Sequence, residues 1–175
     1  MLTTAQLAPV KADILADSAL NAFPNNSDGN SAIAAAYAVI ASPDYWVWRT
    51  MVPEAEIYEV TTDTATTWDW TTYIAQSLPE QGAWRQMVSM RGGMNPSLAN
   101  VRAGFAKIFA GGTAGPTAQR AHLTAVARRK SNRVEKLLAN ATAGGSGTRG
   151  STANPDTLSF EGNVSFNDVE AARNS

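Results

Sequence analysis

The sequence has no cysteine and a single histidine, His122, in 175 residues. The first absence excludes disulfide staples, thiolate metal sites and a cysteine nucleophile, and the second removes most histidine-based metal and triad chemistry. Charged residues are only 17% of the chain, and no run approaches the roughly 18 apolar residues that a spanning helix needs, so no membrane contact is expected. The opening MLTTAQLAPVKAD lacks a basic start followed by an apolar stretch. A secretory leader is therefore not expected, and an intracellular protein is. What is present is 44% hydrophobic residues at a mean hydropathy of −0.20, enough for one packed domain.

Nothing marks a catalytic, metal or cofactor site. No glycine loop ends in Lys-Ser or Lys-Thr as phosphate-binding loops do. Carboxylate pairs such as Glu54 with Glu56, and Asp63 with Asp69, read as surface charge rather than as an acid and base in a cleft. The expectation is a protein that is not an enzyme and carries no cofactor.

The net charge of −1 conceals an asymmetry. Residues 1–80 hold two bases against ten acids, a balance of −8; residues 81–140 hold ten bases against Glu135 alone, +9; the last 35 residues contribute −2. The two halves can neutralise each other within a chain or between neighbouring copies, and the second arrangement favours a head-to-tail ring.

Periodicity reads as mainly α. Thr3 with Gln6 forms a capping box for a helix from residue 4 to about 18, in which Pro9 bends the helix or marks its first turn. Ser27 or Asp28 caps an alanine-rich helix to about Ile40. Tyr45–Thr50 is β-prone, with Trp46 and Trp48 on one side, although an irregular buried crossing fits as well; these indoles are core residues or interface anchors. A short helix follows Pro53. The threonine-rich 61–72 stretch is open between strand and helix; the spacing of Trp70, Tyr73, Ile74, Ser77 and Leu78 favours a helix from about Ala65, interrupted by Pro79 and Gly82. Asn95 and Pro96 open a core helix that ends at Gly111 and Gly112.

A further helix begins near Pro116 and extends to about Asn140, with His122, Arg129, Arg133 and Lys136 on its polar face and Lys130 near the apolar one. This face reads as a phosphate-contacting surface, or as a solvated face neutralised by the acidic half. Residues 143–155 read as a flexible linker, followed by a short strand at Leu158 and Phe160 and a helix over about 166–173 opened by Ser165 with Asp168. The expected organisation is a helical domain over 1–142, a linker over 143–155 and a C-terminal arm over 156–175. The fold class is a mainly α helical bundle with a small β element and an extended C-terminal arm.

Six strings spread over the chain, TTAQL (Thr3–Leu7), NNSDG (Asn25–Gly29), VWRT (Val47–Thr50), NVRAG (Asn100–Gly104), FEG (Phe160–Gly162) and DVEAARN (Asp168–Asn174), resemble small structural proteins from the head-tail region of tailed bacteriophages. Among these, a mainly helical chain of this size is similar to the head-tail connector, or adaptor. The resemblance implies a virion protein assembled in the host cytoplasm into a neck ring of about a dozen copies. Its partners would be the portal, tail or neck proteins, and packaged DNA that passes through the lumen without sequence recognition. It also implies that the C-terminal arm docks on the portal through Leu158, Phe160, Phe166, Val169 and Arg173. In such a ring Arg128, Arg129, Lys130, Arg133 and Lys136 would sit at subunit interfaces, since a lumen that lets DNA slide should avoid phosphate-binding bases. The aromatic VWRT region and the 61–72 stretch have no counterpart in known connectors, which keeps a tail-completion or terminator role open beside a small DNA-binding, packaging-associated one.

Overall fold

The computed structural model describes residues 1–61, 64–140 and 148–175. The described residues are mainly α, with ten helices and four short strands. The chain divides into two compact units: Met1–Val47 with Lys130–Ser175, and Trp48–Arg129. The second is inserted in the sequence of the first, and each has its own hydrophobic core. Packing therefore does not follow the expected partition at 142 and 155.

In the first unit, α1 (Thr4–Ala16) starts at the Thr3–Gln6 capping box and carries Pro9 in its interior. Asp17 ends α1, and its carboxylate caps α2 (Ser18–Asn21) by accepting from the Ala19 and Leu20 amides at 2.9 and 3.3 Å. The cap of α3 (Ser27–Ala38) is Asn26 rather than the expected Ser27 or Asp28, because its side chain accepts from the Gly29 amide at 2.9 Å. Val10 and Ile14 of α1 and Ile33 and Tyr37 of α3 meet Val134 of α9 (Arg133–Leu137) and Val169 and Ala172 of α10 (Phe166–Asn174). Helix α10 packs on both α1 and α3. It is part of this core, where an extended arm was expected.

Residues 143–147 of the expected linker lie outside the described residues. The rest of it is turn-rich and closely held. Gly150 has φ +73°, and a Cβ there would fall 2.1 Å from the Tyr45 ring. The Gly150 carbonyl accepts from the Trp46 amide at 2.7 Å, and Arg149 bonds the buried Asp156 carboxylate. Burial first, and then the hydrogen bond it donates to Asp156, push the Tyr45 phenol up to about 12. The expected strand at Leu158 reduces to one bridge with Ala139.

In the second unit, β2 (Val52–Pro53) pairs antiparallel with β3 (Gly93–Met94). Around them lie α4 (Glu54–Ile57), α5 (Trp70–Ile74), α6 (Leu78–Met87), a 3-10 turn (Ser89–Arg91), α7 (Ala99–Ile108) and α8 (Ala114–Val126). Trp68 and Trp84 stack at 4.8 Å between centroids, and each meets Phe109 edge-on at 5.8 Å, which makes this core largely aromatic.

Three expected helices differ for local reasons. Between Ala65 and Asp69 there is none, because Thr61, Thr64 and Thr66 bond one another through their hydroxyls and Asp69 caps α5 through the Thr71 amide at 2.9 Å. Pro79 and Gly82 do not interrupt α6. The Ser77–Glu80 capping box starts that helix, so Pro79 falls in the first turn, where its missing N–H removes no bond. The Asn95 carboxamide turns back on Ser97 instead of capping, so α7 begins only at Ala99.

The fourth difference concerns the basic helix. Helix α8 stops at Val126, Arg128–Lys130 form an extended strand β4, and Asn132 caps the separate α9 by accepting from the Glu135 amide at 2.8 Å. The backbone around Asn132 bonds Val39–Ala41, through Ala41 N–H to the Ser131 carbonyl at 3.0 Å and Arg133 N–H to the Val39 carbonyl at 2.9 Å. An unbroken helix would forfeit those bonds.

Two outcomes test this packing. Trp84→Ala removes a buried indole and lowers stability by about 3–5 kcal/mol in denaturant titration. Gly150→Ala lowers the melting temperature despite lying in a segment of linker composition, because the Tyr45 ring occupies the space its Cβ needs.

Asp168 supplies a pH test. Burial raises its carboxyl, but the Ser165 hydroxyl at 2.7 Å, the Ser165 amide at 2.9 Å and the Leu2 amide at 2.6 Å outweigh that and hold it below its ordinary value. A depressed folded-state value gives stability that is present above the ordinary carboxylate value of about 4 and is lost as pH falls through the folded-state value. Asp168→Ala therefore lowers stability at neutral pH by about 1–3 kcal/mol, and the gap from wild type narrows in strongly acidic solution. Urea titrations across pH measure both.

Candidate interaction surface

Folding redistributes the charge. The first unit holds six bases and nine acids, −3, and the second eight bases and six acids, +2, so the −8 and +9 of the sequence largely cancel inside each unit. Each base of the first unit is engaged there. Arg133 bridges Asp13 and Asp17, both at 2.8 Å, and lies over the Tyr37 ring at 5.3 Å. Lys130 pairs with Asp44 at 2.6 Å, and Lys136 donates to the Pro43 carbonyl at 3.3 Å. Lys11 donates to the Ser175 carbonyl, Arg149 pairs with Asp156, and Arg173 donates to the carbonyls of Phe23 and Pro24 and to Asn30.

The residues expected on one basic helical face are thus dispersed. Arg128, Arg129 and Lys130 lie on β4, and Arg133 and Lys136 on α9. His122 is fully buried rather than on a polar face. Its Nε2 lies 2.6 Å from the Ile57 carbonyl, so that nitrogen donates, and its Nδ1, 3.2 Å from the Thr66 hydroxyl, accepts. The local sequence hides this, since helix periodicity puts His122 in line with the bases while the core of the second unit covers it.

The expected aromatic anchors Trp46 and Trp48 are half-buried, flanking the buried Val47 in β1 (Trp46–Trp48). Trp48 packs against the second core and lies under Arg102, 4.8 Å from its ring centroid, while Lys130 lies 5.8 Å from Trp46. Of the five residues expected to dock on a portal, Val169 is a core residue, Leu158 and Phe160 are half-buried and Arg173 is spent on α3 and the turn before it. Phe166, 43% exposed, is the one that faces outward.

The most exposed apolar feature of the second unit lies elsewhere. Trp70, Ile74 and Leu78 recur at every fourth position across α5 and the start of α6 and are 53%, 66% and 81% exposed. The Trp70 ring sits 4.9 Å from Tyr58 and 5.6 Å from Trp68, so the aromatic core fixes its position while one face remains open. Their spacing was visible in the sequence but is the same as that of a buried face. The caps on either side are ionised: the Thr72 hydroxyl at 2.5 Å holds Asp69 low, and the Ser77 hydroxyl at 2.7 Å does the same for Glu80.

Comparison of the chain with protein-family models, with curated proteins and with solved structures finds no match.

The Arg133 clasp gives a direct test. Hydrogen bonding from Arg133, more than any other contact, holds the Asp17 carboxyl below its ordinary value. In Arg133→Gln the Asp17 carboxyl titrates closer to that ordinary value of about 3.9 in a carbon-detected NMR experiment, whereas a guanidinium turned outward toward a partner would leave Asp17 unchanged.

Proposed function

We propose that this chain is a self-assembling structural protein of the phage neck, a head-tail connector whose copies form a ring of about a dozen beneath the portal. The reading rests on the six strings similar to head-tail region proteins and on one physical observation, the exposure of Trp70, Ile74 and Leu78. Three large apolar side chains exposed within nine residues are unfavourable in water, and a tryptophan held in place by its neighbours suits the anchor of a protein contact. A small charged fraction, 17%, suits a chain that buries much surface against copies of itself.

The DNA-binding alternative draws on a continuous basic helix, and the bases it needs are divided between β4 and α9. A tail-completion role would use the same exposed apolar side chains on a different neighbour, so the partner separates it from a connector.

The test is the mass of the protein in solution by light scattering, alone and mixed with the portal protein of the same virion. A multimer, or a monomer recruited to the portal in many copies, supports the connector. A monomer that ignores the portal sinks it. Ile74→Asp with Leu78→Asp should leave the fold intact, since both side chains are exposed, and should lower the mass of the assembly or abolish portal recruitment.

A further inference from the structure

We propose that two different surfaces of this chain meet between copies: the outer face of α10, bearing Phe166 and Glu170, seats in a cleft on the second unit of the next copy. The cleft has a volume of about 490 Å³ and is lined by Met51, Met87, Met94, Leu98 and Val101, with Arg91 beside them. Three of the chain's five methionines are in this one place, Met51 exposed, Met87 half-buried and Met94 buried beneath them. Methionine is unbranched and polarisable, so a surface built from it adapts to an inserted side chain and makes favourable sulfur contacts with an aromatic ring. Arg91 is exposed and forms no ion pair among the described residues.

Helix α10 offers the complement. Asp168, Val169 and Ala172 face its own core. Phe166 and Glu170, one turn apart, lie on the opposite side, both exposed, and Glu170 has no ion-pair partner among the described residues. An aromatic with an acid four residues on is the pattern of a helix laid in a groove, the ring as anchor and the carboxylate at the rim. The charges agree at two levels: Glu170 faces Arg91, and a unit of net −3 meets one of net +2.

Of the occupants such a cleft could take, a second copy is the one whose anchor and countercharge are both present in this chain. The contact joins unlike surfaces, so it is heterologous and leaves each copy with one unused half at either end. Repetition then closes a ring or extends a chain. The inference rests on the self-assembly reading above and adds the contact through which it occurs.

The experiment measures self-association of the full chain by sedimentation and light scattering for wild type, Arg91→Glu, Glu170→Arg and Phe166→Ala. Both charged residues are exposed and free of ion pairs, so thermal unfolding of the variants should match wild type. Each charge reversal alone is expected to weaken association about tenfold or more. An equimolar mixture of the two reversed proteins should regain the wild-type mass, because every junction then pairs opposite charges again. Phe166→Ala should weaken association without rescue by either. If wild type assembles and both reversals assemble equally well, this contact is wrong while self-assembly stands. If wild type stays monomeric at every concentration, this contact is wrong, and the connector reading falls with it only if the monomer also ignores the portal.

Discussion

The apolar faces of α1 and α3 have no core of their own until the other end of the chain arrives. Val10, Ile14, Ile33 and Tyr37 are covered by Val134, Leu138, Val169 and Ala172, residues that follow the whole inserted second unit in sequence. Everything else in the first unit answers to that closure. The Asp168 carboxylate caps α10 and also accepts from the Leu2 amide, so a single side chain fastens the first residues to the last helix. Arg173 does the same at the other end of α10 by binding the turn before α3. Contacts so distant in sequence carry a loop-closure cost that is met only when the helices dock.

The same closure settles the electrostatics. An acidic beginning and a basic later segment invite the idea of complementary faces on neighbouring copies, but the first unit brings α1 and α9 together and uses Arg133 to neutralise Asp13 and Asp17 on the spot. Lys130 with Asp44 and Arg149 with Asp156 repeat the pattern. An exposed pair such as Lys130 with Asp44 contributes little stability singly, whereas Asp156 is buried and needs its partner. The consequence of these pairs is that bases already paired at home are poor candidates for phosphate or partner, which shifts attention to the apolar surface and to charges such as Arg91 and Glu170.

Function then rests on what the two cores leave uncovered. In the second unit the aromatic core is dense enough to hold Trp70 in place while exposing it, and α6 carries the exposed Leu78 at its start and lines the methionine cleft through Met87 at its end. On a helix of about 3.6 residues per turn, Leu78 and Met87 point in opposite directions. A small unit with unlike apolar surfaces facing different ways is suited to joining copies in series, which the proposed self-assembly would require.

What the sequence determined by itself are the features whose partners lie within a turn of each other. The Thr3–Gln6 and Ser165–Asp168 capping boxes stand where local reading puts them, because a cap needs only a side-chain oxygen and an amide three residues away. The mainly α class follows from the same short-range periodicity. Only the tertiary structure decided which apolar stripe is buried. Ile33 with Tyr37 and Trp70 with Ile74 show the same spacing, yet α9 and α10 cover the first pair and the second stays open. It also decided that His122 lies in a core, and that the chain leaves the helix at Ala127 to pair Ser131–Arg133 with Val39–Ala41. Burial and strand pairing depend on segments far apart in sequence, and their free energy exists only once the chain has brought those segments together.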